Sequence, residues 1–402
     1  MSIMSDPLQP IATMVSQPGK NQPRWQGSVA FRLAWRNITR DRIRLIIAVI
    51  GVAFAVLLMT VQLGLLIGFA TISSSLIDKA QADIWIVPRG AKDVDQAGYL
   101  IERQKYRALG VAGVDSAQSL IVRFTEWKRP DGGTESVIVV GIDPVRPALQ
   151  PWNFIEGSVD DLRIADGVVI DELYSQKLGV SKIGQTVEIV GHRARIVGIT
   201  SQIRTFTQSP YVFANLNNAR VWTGLPDERT TYLLVRAEQG ANLIALRNTL
   251  QAAMPASDVY TAREFSWRTR VYWLITTGVG AALLIAAVLG VIVGMVIVSQ
   301  TLYSATMERL QEYATIRAMG ATNRYLQTIV LRQSLVSGTL GYVIGTTIAI
   351  IVAWMSRGSS ATLMLSYPLI IILGIVTLSM CVGASLISIR KVLRVDTASV
   401  FR

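Results

Sequence analysis

Four long runs without a formal charge constrain this chain more than any other feature of its sequence. About 20 consecutive apolar residues are enough for a helix to cross the ~30 Å hydrocarbon core of a bilayer. The composition agrees with such spans, because 51% of the residues are hydrophobic and only 16% are charged. The sequence therefore predicts an α-helical membrane protein with four transmembrane helices. The charge-free runs are Leu45–Ala70, Val271–Met307, Gln333–Ser356 and Tyr367–Ile389.

Basic residues that precede the first run and follow the last run predict how the chain is oriented in the membrane. Lysine and arginine are enriched on the cytoplasmic flanks of membrane spans. The residues concerned are Arg40, Arg42, Arg44, Arg390, Lys391 and Arg394. Both termini of this multi-pass protein are therefore predicted to be cytoplasmic. The same flanking residues account for part of the net charge of +12, and no zinc-finger, basic-zipper or basic-aromatic motif favours nucleic acid as a partner.

The segment between the first two runs has a different character. Charges are frequent in residues 71–270, and short alternating runs are separated by turn residues. Pro130–Gly133 and Gly191-His192 are each flanked by alternating segments, which predicts two β-hairpins. Glu172–Leu178 is predicted to be a helix that ends at Gly179. With the N-terminus inside, this segment is a large mixed α/β periplasmic domain between transmembrane helices 1 and 2.

The N-terminal segment is predicted to contact the membrane surface. Residues 1–27 are polar and proline-containing, which indicates a flexible cytoplasmic tail. Residues 28–42 then place aromatic and basic side chains on different faces of one helix, the pattern of an interfacial amphipathic helix. The predicted anchors are Phe31, Arg32, Trp35, Arg36 and Arg40.

The remaining boundaries follow from the charge-free runs. The second run is longer than a bilayer requires, so its helix is expected to continue beyond the outer membrane face as a stalk. The predicted segments are 43–70 (first span), 71–270 (periplasmic domain), 271–300 (second span with its stalk), 301–322 (cytoplasmic coupling helix), 323–355 (third span), 356–365 (short periplasmic loop), 366–389 (fourth span) and 390–402 (cytoplasmic C-terminus).

Residues 301–322 stand out because they are charged and lie between two spans. Helix-forming residues dominate this segment, proline is absent, and a glycine follows where helices commonly end. Such a helix cannot stay in hydrocarbon and can touch a soluble partner; a solvated linker is the simpler alternative. The candidate contact residues are Glu308, Arg309, Glu312, Arg317 and Gly320.

The sequence offers little for catalysis or for cofactor and metal binding. Cys381 is the only cysteine and His192 the only histidine, so a Cys/His metal cluster and an intrachain disulfide are excluded. A phosphate-binding loop needs G-x-x-x-x-G-K-S/T, and the single Gly-Lys pair, Gly19-Lys20, is followed by asparagine. We expect no enzymatic activity and no cofactor bound by this chain.

One motif resembles a known family. Glu312–Ala321 reads EYATIRAMGA, which is similar to the segment after the second span of FtsX/MacB-type permeases of ABC transporters. Leu178-Gly179 through Val197–Ile199 resembles a step in the external domain of that family. Within it, the chain is most similar to DevC-like exporter permeases. That similarity is carried by Thr261, Phe265, Tyr272-Trp273, Thr277-Gly278, Gly280 and the closing Asp396–Phe401, in which Thr397 replaces the usual proline.

The resemblance implies a location in a bacterial inner (plasma) membrane, a mechanism and partners. Such permeases form dimers, here expected to be a homodimer, and bind two ATPase subunits through the coupling helix. ATP and Mg²⁺ are bound by the ATPase, which is expected to be a separate polypeptide. The permease would pass a hydrophobic or amphiphilic substrate (lipid, glycolipid or drug-like) to a periplasmic membrane-fusion protein and an outer-membrane channel.

Three other functions stay open on the sequence. An FtsX-like protein would transmit a signal to a periplasmic cell-wall hydrolase, and a LolC/LolE-like protein would release lipoproteins. A membrane-bound enzyme with its active site between residues 73 and 270 is disfavoured, because His192 is the only histidine. The sequence identifies neither the substrate nor the fusion partner.

Overall fold

The computed structural model describes residues 42–95, 98–205, 207–308, 311–312, 315, 322–356 and 363–394. The helices described are α1 (Arg42–Ser73), α2 (Ser75–Lys79), α3 (Gln104–Leu109), α4 (Ser175–Leu178), α5 (Leu216–Thr223), α6 (Leu243–Ala253), α7 (Ala262–Val271), α8 (Gly278–Met307), α9 (Asn323–Met355) and α10 (Tyr367–Arg394). The strands described are β1 (Ile84–Pro88), β2 (Leu100–Ile101), β3 (Val114–Lys128), β4 (Thr134–Ile142), β5 (Phe154–Glu156), β6 (Gly167–Asp171), β7 (Thr186–Ile189), β8 (His192–Thr200), β9 (Tyr211–Asn215), β10 (Arg229–Thr230), β11 (Tyr232–Ala237) and β12 (Ser257–Thr261).

Four of these helices are long and apolar enough to cross a membrane. They are α1, α8, α9 and α10, and the four candidate spans are Leu45–Ser73, Gly278–Met307, Arg324–Met355 and Tyr367–Ile387. Their positions agree with the predicted four-span architecture. Leucine, valine and isoleucine fill the segments, and their backbone hydrogen bonds are satisfied within each helix, as hydrocarbon requires.

Glycines set the antiparallel register of α1 against α8. A Cβ on Gly294 would lie 3.1 Å from the side chain of Met59, and one on Gly290 would lie 3.1 Å from that of Gln62. Nearer the other end of α8, Thr301 lies against Gly51 of α1. Small residues at these positions let the two helices approach closely. Gly290 and Gly294 therefore form a close helix–helix contact within this chain.

A second set of glycines packs α9 between α1 and α10. Gly341 lies against Val52, and a Cβ on Gly345 would lie 2.5 Å from the backbone oxygen of Ala53. On its other side, Gly338 contacts Cys381, which is fully buried. Helices α1 and α9 consequently run in one direction, and α8 and α10 run in the other.

The domain between α1 and α8 is built on one mixed sheet. Its strand order is β12-β1-β11-β3-β4-β9-β6-β8-β5, and β7 pairs with both β3 and β8. The pairs β4/β9 and β6/β8 are parallel and the other pairs are antiparallel. Buried apolar side chains form clusters on both faces of this sheet, with Trp85 and Tyr232 in one and Trp127 in another. The mixed α/β prediction for this domain is confirmed.

Local turn chemistry in the domain follows the sequence. The hairpin of β3 and β4 closes through residues 129–133, and that of β7 and β8 closes at Gly191, whose φ is +78°. Gly179 ends α4 with a φ of +72°, a conformation that favours glycine.

Two predicted boundaries around the second span differ from the structure. The helix that crosses the membrane begins at Gly278, not at 271, because the backbone is extended at Thr277. It then continues to Met307, so the first residues of the predicted coupling helix (301–322) belong to the same helix as the span. The predicted break at residue 300 was wrong, because nothing in Ser299–Met307 interrupts the backbone hydrogen bonding of α8.

Several predicted segments lie outside the described residues. These are the tail (1–27), nearly all of the interfacial helix (28–42) with its anchors Phe31, Arg32, Trp35, Arg36 and Arg40, most of the short loop (356–365), and residues 395–402.

Candidate functional site

The predicted coupling segment lies at the end of α8 that is remote from the sheet domain. Glu308 follows the last residue of α8 and is exposed, and Glu312 is helical and exposed. Thr322 then caps α9, its hydroxyl accepting a hydrogen bond from the backbone N–H of Tyr325. The segment thus occupies the connection between the second and third spans. The other candidate contacts, Arg309, Arg317 and Gly320, lie outside the described residues.

The opposite end of α8 enters the sheet domain through an irregular joint. Helix α7 continues into a single π-helical turn at Tyr272–Thr276, and the backbone is then extended at Thr277 before α8 begins. The Thr277 hydroxyl accepts a hydrogen bond from the backbone N–H of Gly280 at 3.2 Å. This cap satisfies one of the N–H groups that a new helix start leaves unpaired.

Gly280 is required by the joint. A Cβ at this position would overlap the backbone oxygen of Trp273, because the chain folds back closely where the π-turn meets α8. By contrast, a Cβ on Gly278 would meet nothing within 4 Å. One continuous helix was predicted here, so the joint was missed. Thr277 followed by Gly278 and Gly280 was the signal, since threonine is a common N-cap.

An ion pair connects α2, which follows the first span, to α7, which precedes the second. The guanidinium of Arg270 on α7 lies 2.6 Å from the carboxylate of Asp78 on α2, and its Nε donates to the hydroxyl of Ser74 at 2.7 Å. The Ser74 hydroxyl in turn donates to Asp78 at 2.8 Å. Helix α2 follows α1 directly, and α7 precedes the joint, so these contacts connect the extensions of the first and second spans.

A buried carboxyl group fixes the loop after β1 to the sheet. Asp95 is 4% exposed and accepts a hydrogen bond from the hydroxyl of Tyr211 at 3.0 Å. The hydroxyl of Tyr232 donates to the backbone oxygens of Asp93 and Val94 at 3.1 and 2.8 Å. Burial, above all, raises the pKa of Asp95 to about 7; the neighbouring carboxylate of Asp93 adds to this and the Tyr211 hydrogen bond opposes it.

The structure places His192 and Cys381 far from each other and in different parts of the fold. His192 is exposed at the start of β8, and Cys381 is buried within the helix bundle. Within the described ranges, no group of three or more His, Cys, Asp or Glu side chains is placed to bind a metal ion.

The fold and these two ends of α8 define a class of protein. Four apolar helices, a mixed sheet domain inserted after the first, and a charged connection between the second and third make up a transmembrane permease subunit. Residues 45–253 match the MacB-like periplasmic core domain, and residues 264–397 match the FtsX-like permease C-terminal domain. The chain belongs to the MacB/FtsX-type permeases of ABC transporters, and this family implies an ABC ATPase partner.

Other proteins are similar to this chain in sequence or in part of its fold. An uncharacterized ABC transporter permease of Mycobacterium tuberculosis is 23% identical over 385 residues, which is 92% of this chain and 98% of the relative. A second uncharacterized permease of the same species is 21% identical, over 88% of this chain and 42% of its own greater length. The periplasmic region of MacB from Actinobacillus actinomycetemcomitans matches 48% of this chain and 94% of its own, with 12% identity and a TM-score of 0.35. The extracellular domain of the ABC-type transporter YknZ from Gram-positive bacteria matches 44% of this chain and 98% of its own, with 14% identity and a TM-score of 0.33.

Proposed function

We propose that this chain is the transmembrane subunit of an ABC exporter that carries motion from a separate ATPase to its own sheet domain. The observation that supports this is the position of α8. One end of α8 runs into the coupling segment at Glu308, and the other end begins at the joint below α7. A displacement of the coupling segment would therefore reach the sheet domain along one helix.

The composition of the spans favours mechanical coupling over a polar pore. The charge-free runs of the sequence leave no Asp, Glu, Lys, Arg or His side chain within the central parts of the four helices. Several buried hydroxyl groups in the described bundle bond to their own helices: those of Thr60, Thr306 and Thr377 each donate to the backbone oxygen four residues earlier. Polar substrate pathways normally carry ionisable groups. A hydrophobic or amphiphilic substrate, handed to a fusion protein, fits these spans best.

A second copy of the chain is the proposed neighbour of α8. Only 22% of the α8 span is buried, against 44% of the α1 span. Its exposed side chains include Ile285, Leu289, Ile292 and Val296, which recur every three or four residues and so share one face. This face would pack in a homodimer, the remainder contacting lipid.

The coupling role is tested by ATPase stimulation. The full-length chain is reconstituted with its ATPase, and Glu312→Lys and Gly320→Pro are compared with the native protein. Both variants are expected to lose stimulation while the chain stays folded, because one reverses a charge at the contact and the other breaks the segment. Glu238→Lys is the matched control, since Glu238 is an exposed carboxylate in a turn of the sheet domain. Normal stimulation in both coupling variants would overturn the role.

The partners decide between export and the alternative functions. Affinity purification from native membranes, followed by mass spectrometry, is expected to recover an ATPase, which binds ATP and Mg²⁺, together with a membrane-fusion protein. Recovery of the ATPase with a cell-wall hydrolase and no fusion protein would instead indicate FtsX-like signalling. Recovery with a lipoprotein carrier would indicate lipoprotein release.

A further inference from the structure

An open cleft of about 350 Å³ separates α2 from α7 on the sheet-domain side of the bundle. Ile77, Ala80 and Ala262 line part of it, and Ile77 is only 1% exposed. This volume lies in the range of sites that take a small molecule or a chemical group of a larger one. The cleft therefore presents an apolar wall to whatever enters it.

Two polar groups in the cleft have unused binding capacity. Arg263 is exposed and has no carboxylate within ion-pair distance among the described residues. Ser266 is 6% exposed, and its hydroxyl has no hydrogen-bond partner in the described part of the chain. The second basic group, Arg270, is already engaged by Asp78 and Ser74. A free guanidinium beside a nearly buried hydroxyl suits a phosphate oxygen, which accepts charge-assisted hydrogen bonds.

An exposed tryptophan completes the cleft. Trp267 is 66% exposed and lies one turn after Arg263 on the same face of α7. Indole combines a large apolar surface with one N–H donor, and it favours ligands that are apolar at one end and polar at the other. Together with the wall at Ile77, it matches the boundary between the headgroup and the chains of an amphiphile.

The length of the first span indicates where the cleft lies relative to the bilayer. The first span contains 29 residues, Leu45–Ser73. At ~1.5 Å per residue it is roughly 13 Å longer than the ~30 Å hydrocarbon core, and the headgroup layer occupies only about 5–7 Å on each side. With Arg42 and Arg44 at the cytoplasmic interface, this surplus is expected on the other side of the membrane, where α2 begins two residues after α1 ends. The cleft is therefore expected near the outer edge of the headgroups, where it can take a headgroup from the adjacent leaflet.

We propose that the cleft between α2 and α7 binds the phosphate-bearing headgroup of an amphiphile withdrawn from the adjacent leaflet. Arg263 and Ser266 would hold the phosphate, and Trp267 would cover the start of the acyl region. The proposal rests on the exporter function, and it adds a substrate class to it: phospholipids and phosphate-bearing glycolipids, rather than neutral drug-like molecules.

The binding test uses the full-length chain in nanodiscs of a phosphate-free neutral galactolipid that contain a photoactivatable phosphatidylglycerol, so that the probe is the only source of a lipid phosphate. After illumination, labelled peptides are identified by mass spectrometry. Labelling of α7 is expected in the native chain and should fall at least about fivefold in Arg263→Gln, with a smaller fall in Ser266→Ala. Arg268→Gln is the matched control, because Arg268 is an exposed arginine on α7 that stacks over Tyr260 at 4.7 Å, outside the cleft. Equal labelling in Arg263→Gln and Arg268→Gln would overturn the proposal.

A second arm distinguishes a lipid headgroup from free phosphate. Phenylglyoxal modification of Arg263 is measured with and without millimolar inorganic phosphate. If inorganic phosphate protects Arg263 and the lipid probe does not label α7, the ligand is a free anion and the lipid assignment is wrong. Neither arm requires ATP. Loss of lipid labelling with intact ATPase stimulation would therefore overturn this proposal alone. Labelling of α7, combined with failure to recover any ATPase from native membranes, would overturn the exporter function and leave the site.

Discussion

Arg270 and Asp78 form an ion pair of 2.6 Å although 192 residues separate them in the sequence. Arg270 lies near the end of α7, where the chain leaves the sheet domain, and Asp78 lies on α2, directly after the first span. Their side chains are 34% and 36% exposed, so the pair contributes little to stability by itself, typically about 0.2–1 kcal/mol. Its position, where both span extensions meet the domain, makes it a candidate for transmitting force between them.

Breaking this pair is expected to affect coupling more than stability. Asp78→Asn and Arg270→Gln should each lower ATPase stimulation while shifting the unfolding free energy by at most about 1 kcal/mol. The measurements are stimulation in proteoliposomes and a double-mutant cycle on thermal unfolding. Lys128 and Glu188, an exposed pair 2.8 Å apart within the sheet domain, supply the reference cycle, which should leave stimulation unchanged. Full stimulation in Asp78→Asn would contradict the expectation.

The joint before α8 gives a second prediction. In Gly280→Ala the added methyl group would overlap the backbone oxygen of Trp273, so the π-turn or the start of α8 must shift. Overpacking of this kind costs about 1–3 kcal/mol, and a lower melting temperature is expected in detergent. Gly278→Ala is the control, because its Cβ meets nothing within 4 Å. Equal melting temperatures for the two variants would show that the joint is not constrained.

Asp95 predicts a pH dependence with a defined sign. Its pKa is about 7 in the folded protein, above the ordinary value of 3.8, so the folded chain binds this proton more tightly than the unfolded chain. The contribution of Asp95 to stability is complete below about pH 4 and is lost as the pH rises through 7. Where only the folded state holds the proton, the slope approaches about −1.4 kcal/mol per pH unit.

Thermal unfolding of the native chain and of Asp95→Asn between pH 5 and pH 8 checks this sign. The amide cannot ionise, so the variant should lose less stability across that interval than the native chain. Asp93, Tyr211 and Tyr232 are the other titratable groups beside Asp95, and they are unchanged in the comparison. An Asp115→Asn variant, at an exposed position of β3, should follow the native curve. Parallel curves for Asp95→Asn and the native chain would contradict the raised pKa.

The spans and the hairpins were predictable because their signals are local. A charge-free run of sufficient length, such as Leu45–Ala70, specifies a membrane helix without any knowledge of its neighbours. Likewise, Gly191 favours the left-handed conformation that a tight turn requires, and it has a φ of +78°. The joint at Thr277 was missed although its N-cap signal is also local, because the uninterrupted apolar character of residues 271–307 suggested one helix.

The residues of the candidate sites were harder to predict from the sequence than the spans. Glu312 was recognised from a family motif, and the structure adds only that it is helical and exposed. Arg263, Ser266 and Trp267 carried no motif, since what unites them is a cleft against α2, which lies about 190 residues earlier in the chain. Side chains that meet across such a separation leave no periodicity to detect.

By itself, the sequence determined the number of spans and the mixed α/β character of the inserted domain, and it predicted a coupling segment between the second and third spans. These depend on hydropathy and turn chemistry, which act between residues close in the chain. The tertiary structure alone decided that Gly290 and Gly294 face α1, that α8 starts anew at Gly278, and that Arg270 reaches Asp78. It also decided that Asp95 is buried beneath Tyr211. The physical reason is that close packing, burial and ion pairing depend on which distant surfaces come together, and the chain folds those surfaces into contact only as a whole.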